Sequence, residues 1–341
     1  MMSADPHRSR CVLITGAAGS IGSALARSLA AAGARLLLLD FSEIGLFELQ
    51  QQLTGDFEIV LGSVDDPVVL DSLFQRHPVD IVYHAAAWKQ VPLLETNPFA
   101  ALRNNAFATH VLAQAALRAS VSKLVLVSTD KAVNPRSILG ASKRIAELLV
   151  TALSSAACRM NAIRLCNVIG SSGSVVPIFQ RQIAQHQALT VTGPEARRWF
   201  LPMQNAVDSI RVCGASAQSG KIFLPPVGEP VRIADLARDL IQAVGNGWRG
   251  GIQYIGLRPG DKLAEELRYT SECQVGMEGS LTVLETPGPN PADLSAFLDD
   301  LRFQIERLDL RGTLRVIQSV IPEYEPSQQL VELAARMAAS V

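Results

Sequence analysis

A chain of 341 residues, 48% hydrophobic and with a formal charge of -1, is long enough for one large domain or one large and one small. So small a net charge gives no electrostatic reason to expect nucleic acid or an acidic membrane surface as a partner. Five scattered cysteines, with no pair at metal-ligand spacing, point to no metal; Cys11, Cys166 and Cys213 lie in apolar runs and read as small buried side chains in a reducing cytosol.

Residues 1–10 read as a flexible, polar lead-in without the apolar core of a signal peptide. No run approaches the roughly 18 apolar residues a membrane helix needs, so a soluble cytoplasmic protein is expected. Cys11–Thr15 reads as a first strand, and Gly16-Ala-Ala-Gly19-Ser-Ile-Gly22 as the turn after it. An alanine-rich helix follows to Ala32, then a second strand, Arg35–Leu39, ending in Asp40. A glycine-rich turn between strand and helix lets backbone N–H groups and the helix N-terminus approach a pyrophosphate. The candidate contacts are Gly16, Ala18, Gly19, Ser20, Ile21 and Gly22. An acidic residue about 20 positions past such a turn suits an adenosine ribose diol and repels a 2′-phosphate. Asp40 therefore selects NAD over NADP, the alternative being a structural turn with no nucleotide.

The alternation continues. Glu58–Leu61 reads as a strand, residues 68–76 as a helix, and residues 80–87 as a fourth strand. Its small residues Ala85, Ala86 and Ala87 allow close approach to a cofactor. A loop bearing Lys89 leads to a long helix over 98–118, containing Asn104, and then to a strand over 123–127. Repeated strand–helix units of this kind predict a doubly wound parallel sheet, a Rossmann-type α/β fold over residues 11–170. Residues 171–341 read mainly as a smaller substrate lobe and C-terminal helices, with some segments free to return to the first domain.

The chemistry is expected where the fifth strand ends in Thr129-Asp130-Lys131, followed by a helix from about Ser137 to Thr151 that carries Lys143. Ligands of open α/β sheets sit beyond the carboxyl ends of the strands. This strand end offers a hydroxyl, an acid and an amine there; the plainer reading is a solvated turn and a helix cap. His84, alone at a buried strand end, reads as a satisfied core residue.

The motifs together resemble those of an extended short-chain dehydrogenase/reductase, specifically the CapD-like nucleotide-sugar 4,6-dehydratases of polysaccharide biosynthesis and related epimerases. The match runs from about Cys11 to Leu267. It rests on Thr15–Gly22, Asp40-Phe-Ser-Glu43, His84-Ala-Ala-Ala-Trp-Lys-Gln-Val-Pro92, Ser128–Pro135, Asn167–Pro177 and Gly256-Leu-Arg-Pro-Gly-Asp-Lys-Leu263.

The resemblance implies a UDP-linked N-acetylhexosamine as substrate and tightly bound NAD. A hydride leaves C4, water is lost across C5 and C6, and the hydride returns to C6. It makes Asp130 the acid at C6 and Lys131 the base at C5, the latter needing a lowered pKa. It gives Lys143 the nicotinamide ribose and part of the C4 proton, and adds Ser42, Ser63 and Val64 to the cofactor contacts. Lys89, Asn167, Ser174, Val175, Arg198 and Arg258 fall to the substrate. For Arg198 a surface charge, and for Asn167 a plain strand-end hydrogen bond, are the alternatives. A homo-oligomer built through the helices 98–118 and 137–151 is implied as well.

Several positions depart from the pattern. The superfamily's usual tyrosine four residues before the helix lysine is Leu139 here, which cannot transfer a proton and leaves Thr129, with Lys143, to serve C4. Gln90 replaces a histidine, Ser63 an aspartate, and Arg197-Arg198-Trp199-Phe200-Leu201-Pro202 carries an extra arginine and a proline. A 4-epimerase is the alternative within the fold. A catalytically weak NAD-binding scaffold or regulatory protein is the alternative outside it.

Overall fold

A computed structural model describes residues 5–244 and 248–339. Six strands alternate with helices through the first half: β1 (Cys11–Thr15), β2 (Arg35–Asp40), β3 (Phe57–Leu61), β4 (Ile81–His84), β5 (Lys123–Thr129) and β6 (Arg159–Leu165). Val12, Leu13, Ile14 and Leu36 to Leu38 are fully buried. Apolar side chains on both faces of β1 and β2 are what a parallel sheet covered by helices on each side requires. The six pair in parallel in the order β6-β5-β4-β1-β2-β3, a Rossmann order whose switch point lies between β1 and β4.

Three further strands extend this sheet beyond β6, where the sequence reading has none. Ile222–Leu224 pairs in parallel with β6, and the hairpin Cys273–Glu278/Leu281–Glu285 adds two antiparallel strands outside it. The first is only three residues long, and the outermost strand is mostly exposed and shifts register between Gln274 and Gly276. Neither feature gives a strand-like pattern in sequence.

The region 171–341 thus divides three ways. Val175–Ala184 and Ile233–Val244 pack with the short strands Leu189–Val191 and Arg197–Arg198 around Phe179, Val191, Ala196 and Ile233, forming a small lobe beside the strand ends. The strands just described return to the main sheet. The helices Pro291–Glu306, Leu310–Val320 and Gln328–Ala339 dock through Phe297, Leu301, Ile317 and Tyr324 onto the helices Val91–Glu95, Pro98–Leu102 and Ile138–Leu153. Of the two helices read from sequence as an oligomerisation face, the one carrying Lys143 and residues 98–107 of the other pack under the chain's own C-terminal helices, and every residue from Ile138 to Val150 is buried.

Residues 5–10 are not a free lead-in. His7 is buried with Nε2 2.6 Å from the Tyr83 hydroxyl, and Asp5 pairs with Arg211. Residues 1–4 lie outside the described residues. No helix of the described residues is long and apolar enough to cross a membrane.

Candidate active site

Local backbone chemistry builds the glycine-turn cleft. Gly16 has φ 68°, and a Cβ there would stand 2.5 Å from the Ala86 nitrogen; a Cβ on Gly22 would stand 2.1 Å from the Gly16 carbonyl. Glycine at both positions lets turn, helix and β4 end close together. The helix Ser20–Ala31 starts with no side-chain cap, leaving its first N–H groups toward the cleft. The Asp40 carboxylate accepts from the backbone N–H of Ala18 (3.0 Å) and of Ser42 (2.9 Å), so it both shapes the turn and faces the cleft.

Gly16, Ala18, Gly19, Asp40, Ser42, Ser63, Val64, Ala85, Ala86, Ala87 and Asn104 line one cavity of about 240 Å³. Ala85, Ala87 and Trp88 also line a second of about 240 Å³, with Ile21, Lys89, Thr129, Lys131, Leu139, Lys143 and Asn167. Lys89, Lys131, Asn167 and Ser174 continue into a third of about 280 Å³, with Val175, Arg198 and Arg258. The shared walls make one cleft across the strand ends. Two cofactor candidates stand off it. Ser20 accepts from the Ser172 N–H at 3.0 Å, tying the turn to the loop before the small lobe, and Gly22 is buried in the helix. A larger open groove of about 990 Å³ lies on the far side of residues 257–266, between Arg136 and Gln329, and shares none of the glycine-turn residues.

Asn105 fixes the loop between the first two cavities. It lies in a π-helical turn, Arg103–Phe107, a distortion that frequently occurs at functional sites. Its side chain accepts from the Trp88 N–H (2.9 Å) and donates to the Trp88 carbonyl (3.0 Å) and to Ser142 Oγ (3.1 Å). His84, as expected, is satisfied in the core by Thr15 Oγ1 at 2.7 Å and Thr109 Oγ1 at 2.9 Å. Burial and the nearby Lys143 push its pKa down to about 3, so the ring is neutral.

At the end of β5, Thr129 Oγ1 and Lys131 Nζ each donate to Asp130 Oδ1 at 3.0 Å. Lys131 also points at Asn167 Oδ1 (3.5 Å) and Glu265 Oε1 (3.6 Å). Only Thr129 and Lys131 of the three reach the cavity; Asp130 is 1% exposed and lies behind them, its Oδ2 buried without a hydrogen-bond partner. The lysine expected to be lowered is not. Burial does oppose the Lys131 ammonium, but Asp130 and then Glu265 outweigh it and hold the amine above the usual lysine range. The lowered lysine is Lys143, which burial pushes down to about 8, with Glu147 opposing. Burial lowers Lys89 as well.

The Lys143 helix is anchored at both ends of its first turns. Ser137 Oγ caps Gly140 N–H at 3.1 Å, and the buried Glu95 carboxylate accepts the Ile138 N–H at 2.7 Å. Farther along, Glu147 takes two bonds from Arg164 (2.8 and 2.7 Å) and one from Ser128 Oγ (2.7 Å), and Arg164 also bridges to Glu272 at 2.7 Å. Sequence alone gives no signal for these partners, because a lone Glu or Arg in a helix or strand reads as solvated.

On the substrate side, Arg198 donates to the carbonyls of Arg197 (2.7 Å), Leu263 (3.2 Å) and Lys262 (2.8 Å), clamping the loop 256–266 while its side chain lines the third cavity. Arg258 is half exposed and pairs with Asp261 at 2.8 Å. Asn167 Nδ2 donates to the Trp199 carbonyl at 3.2 Å, and Trp199 packs against the core rather than lining the cleft. Ser174 Oγ is buried without a partner at the uncapped start of the helix Val175–Ala184.

Residues 12–283 match the sequence model of the family described as polysaccharide biosynthesis protein. The chain belongs to that family. It is 39% identical over 273 residues to capsular polysaccharide biosynthesis protein CapD of Staphylococcus aureus, covering 77% of this chain and 46% of CapD. It likewise spans 46% of the probable polysaccharide biosynthesis protein EpsC of Bacillus subtilis, so the match spans about half the length of each of these two relatives. It is 32% identical over 276 residues to a UDP-glucose 4-epimerase of Rickettsia rickettsii, covering 77% of this chain and 79% of the relative. Among solved structures, Pen from Bacillus thuringiensis superposes with a TM-score of 0.76 at 28% identity, covering 82% of this chain and 89% of Pen. The dTDP-glucose 4,6-dehydratase DesIV of Streptomyces venezuelae shares the fold, with a TM-score of 0.69 at 23% identity over 76% of this chain and 88% of its own. The family match ends before the three C-terminal helices begin.

Proposed function

We infer that this chain is an NAD-dependent nucleotide-sugar dehydratase that removes water across C5 and C6 of a UDP-linked N-acetylhexosamine, UDP-N-acetylglucosamine being the first candidate. One observation carries the reading: Lys131, bonded to Asp130 behind it, lines both the cavity continuous with the glycine-turn cleft and the arginine-lined cavity beyond. Relatives described as capsular polysaccharide proteins and as UDP-glucose 4-epimerases support the substrate class.

The first cavity suits NAD. The Gly16–Gly22 cradle would be filled by any Cβ, and Asp40 presents a carboxylate that would accept from the hydroxyls of an adenosine ribose diol and repel a 2′-phosphate. Bound NAD supplies reversible uptake of a hydride from the sugar. Lys143, poised near pH 8, serves the nicotinamide ribose and the C4 hydroxyl proton, with Thr129 as the hydroxyl that hands it on. Leu139 contributes only an apolar wall.

Asp130 and Lys131 act as one pair holding one proton. At rest the proton is on Lys131, next to the carboxylate. Its passage to Asp130 over 3.0 Å leaves an amine to take the C5 proton, and the proton held by the pair then goes to the departing C6 hydroxyl. Asp130 therefore acts through Lys131 and Thr129 instead of touching C6. Arg258, Lys89, the unpartnered Ser174 Oγ and the uncapped N–H of Val175 offer charge and donors to the diphosphate. Arg198 adds its remaining N–H groups while clamping the loop.

The epimerase relatives favour a second reading, 4-epimerisation, in which nothing is eliminated and the Asp130–Lys131 pair has no C5 or C6 task. Mass spectrometry after incubation with UDP-N-acetylglucosamine separates the two. Dehydration gives a product lighter by one water; epimerisation gives an unchanged mass.

A further inference from the structure

A second buried carboxylate stands against the Asp130–Lys131 pair and has no part in the reaction as derived above. Glu265 lies in the chain segment after the loop 256–262, and its side chain is 3% exposed. Its Oε1 is 3.6 Å from Lys131 Nζ and 4.0 Å from Arg198 Nε; its Oε2 is 3.9 Å from Lys262 Nζ. That Oε2, like Asp130 Oδ2, is buried with no hydrogen-bond partner among the described residues. The Glu265 backbone is held in turn, its carbonyl accepting the Trp199 indole N–H at 3.1 Å.

Burying a carboxylate is costly unless cations surround it, and packing alone is served more cheaply by a hydrocarbon of the same volume. Here the surrounding cations have separate tasks. Lys131 faces the cavity where the sugar is proposed to react, and Arg198 faces the one proposed for the diphosphate. Lys262 is drawn back from the cavity, bonded to the Val133 carbonyl at 2.7 Å and close to Glu266 at 3.7 Å. Asp130 and Asn167 face Lys131 from the ends of β5 and of the strand Asn167–Val168, and Arg136 reaches Lys262 electrostatically from the turn before the Lys143 helix.

We propose that Glu265 is a positioning residue that holds the Lys131 ammonium at the cavity wall and, by sharing its Oε1 with Arg198, links the acid–base pair to the diphosphate pocket. The catalytic half of this proposal rests on the dehydratase reading; the charge relationship itself does not. The Glu265 carboxylate beside Lys131 favours the single proton of the pair on Lys131 over Asp130. Removing that charge shifts it toward Asp130 and leaves more free amine at a given pH.

The chain has only six lysines, Lys89, Lys123, Lys131, Lys143, Lys221 and Lys262, so lysine labelled with carbon-13 at Cε gives a resolvable NMR spectrum. Lys131 is assigned by its loss in Lys131→Arg. Titration of the wild type and Glu265→Gln is expected to show the Lys131 midpoint falling by about one unit or more in the variant, while Lys143 is unmoved. Because Lys131 also lines that cavity, saturating UDP is expected to shift its signal directly in both proteins, and to shift it further in the wild type than in Glu265→Gln. Equal Lys131 midpoints in the two proteins would overturn the charge relationship. An undiminished UDP response in the variant would overturn the link to Arg198. Unchanged Lys123 and Lys221 signals report the fold; if Glu265→Gln loses them, Glu265→Asp, which keeps the charge, takes its place and must keep the Lys131 midpoint near that of the wild type. Turnover of a nucleotide sugar is scored separately. A wild type that turns over nothing counts against the dehydratase reading and leaves the titration result standing.

Discussion

Lys131 and Lys143 stand on the wall of one cavity in opposite electrostatic surroundings. Lys131 has Asp130 at 3.0 Å and Glu265 at 3.6 Å and stays an ammonium. Lys143 is 3% exposed in an apolar helix, and burial lowers it to about 8. One site thus holds a resting acid and a lysine near the point of losing its proton, which is how a fold separates acid from base roles near neutral pH.

A pH dependence follows from Lys143. Below about pH 8 it is an ammonium and cannot take the C4 hydroxyl proton; above that it is an amine. The rate of C4 oxidation should therefore fall about tenfold per pH unit below pH 8 and level off above it. Lys143→Arg, which stays charged at every accessible pH, should lose both the limb and most of the rate. A flat profile in the wild type would remove Lys143 from this role.

Asp130→Asn keeps the side-chain shape but removes the acceptor charge that holds Lys131 and the second place for the proton. Turnover should drop by about a hundredfold to ten-thousandfold. NAD binding, measured by fluorescence titration, should stay within a few-fold of the wild type, because Asp130 is absent from the cofactor cavity. Unchanged turnover would refute the assignment.

Asp40→Ala removes the proposed ribose acceptor and also the partner of the Ala18 and Ser42 N–H groups. Hydrogen bonds to a charged group contribute about 1.5–3 kcal/mol each, so calorimetry should show NAD affinity falling by at least tenfold. The preference for NAD over NADP should narrow at the same time. Equal affinity for NAD in the variant would mean that Asp40 only shapes the turn.

The C-terminal helices are part of the fold and not an appendage. Leu301 is fully buried in the core they share with the Lys143 helix, so Leu301→Ala should cost about 2–5 kcal/mol in urea unfolding. A cost under about 1 kcal/mol would show that these helices are loosely attached.

The alternation of apolar strands and helices made β1 to β6 and the glycine turn legible, because both leave local signals in sequence. What stayed hidden depends on contacts between distant segments. The three-residue strand Ile222–Leu224 has no periodicity to read, and its place beside β6 is set by the sheet. The role of base at C5 requires a lowered Lys131; Asp130 beside it in sequence already opposes that, and the second carboxylate that holds the amine up, Glu265, arrives from another part of the fold. The burial of the helix Ile138–Leu153, one of the two offered as an oligomer face, comes from Phe297, Leu301 and Ile317, far along the same chain. Nothing in the sequence singles out Asn105, because a buried asparagine with four side-chain hydrogen bonds looks the same there as any polar helix residue.

The central claim, elimination across C5 and C6 by the Asp130–Lys131 pair, is tested most directly by NMR of the purified protein with UDP-N-acetylglucosamine in heavy water. The account predicts a new C6 methyl signal together with deuterium at C5, both lost in Asp130→Asn. A 4-epimer carrying no deuterium at C5 would contradict it and establish the epimerase reading instead.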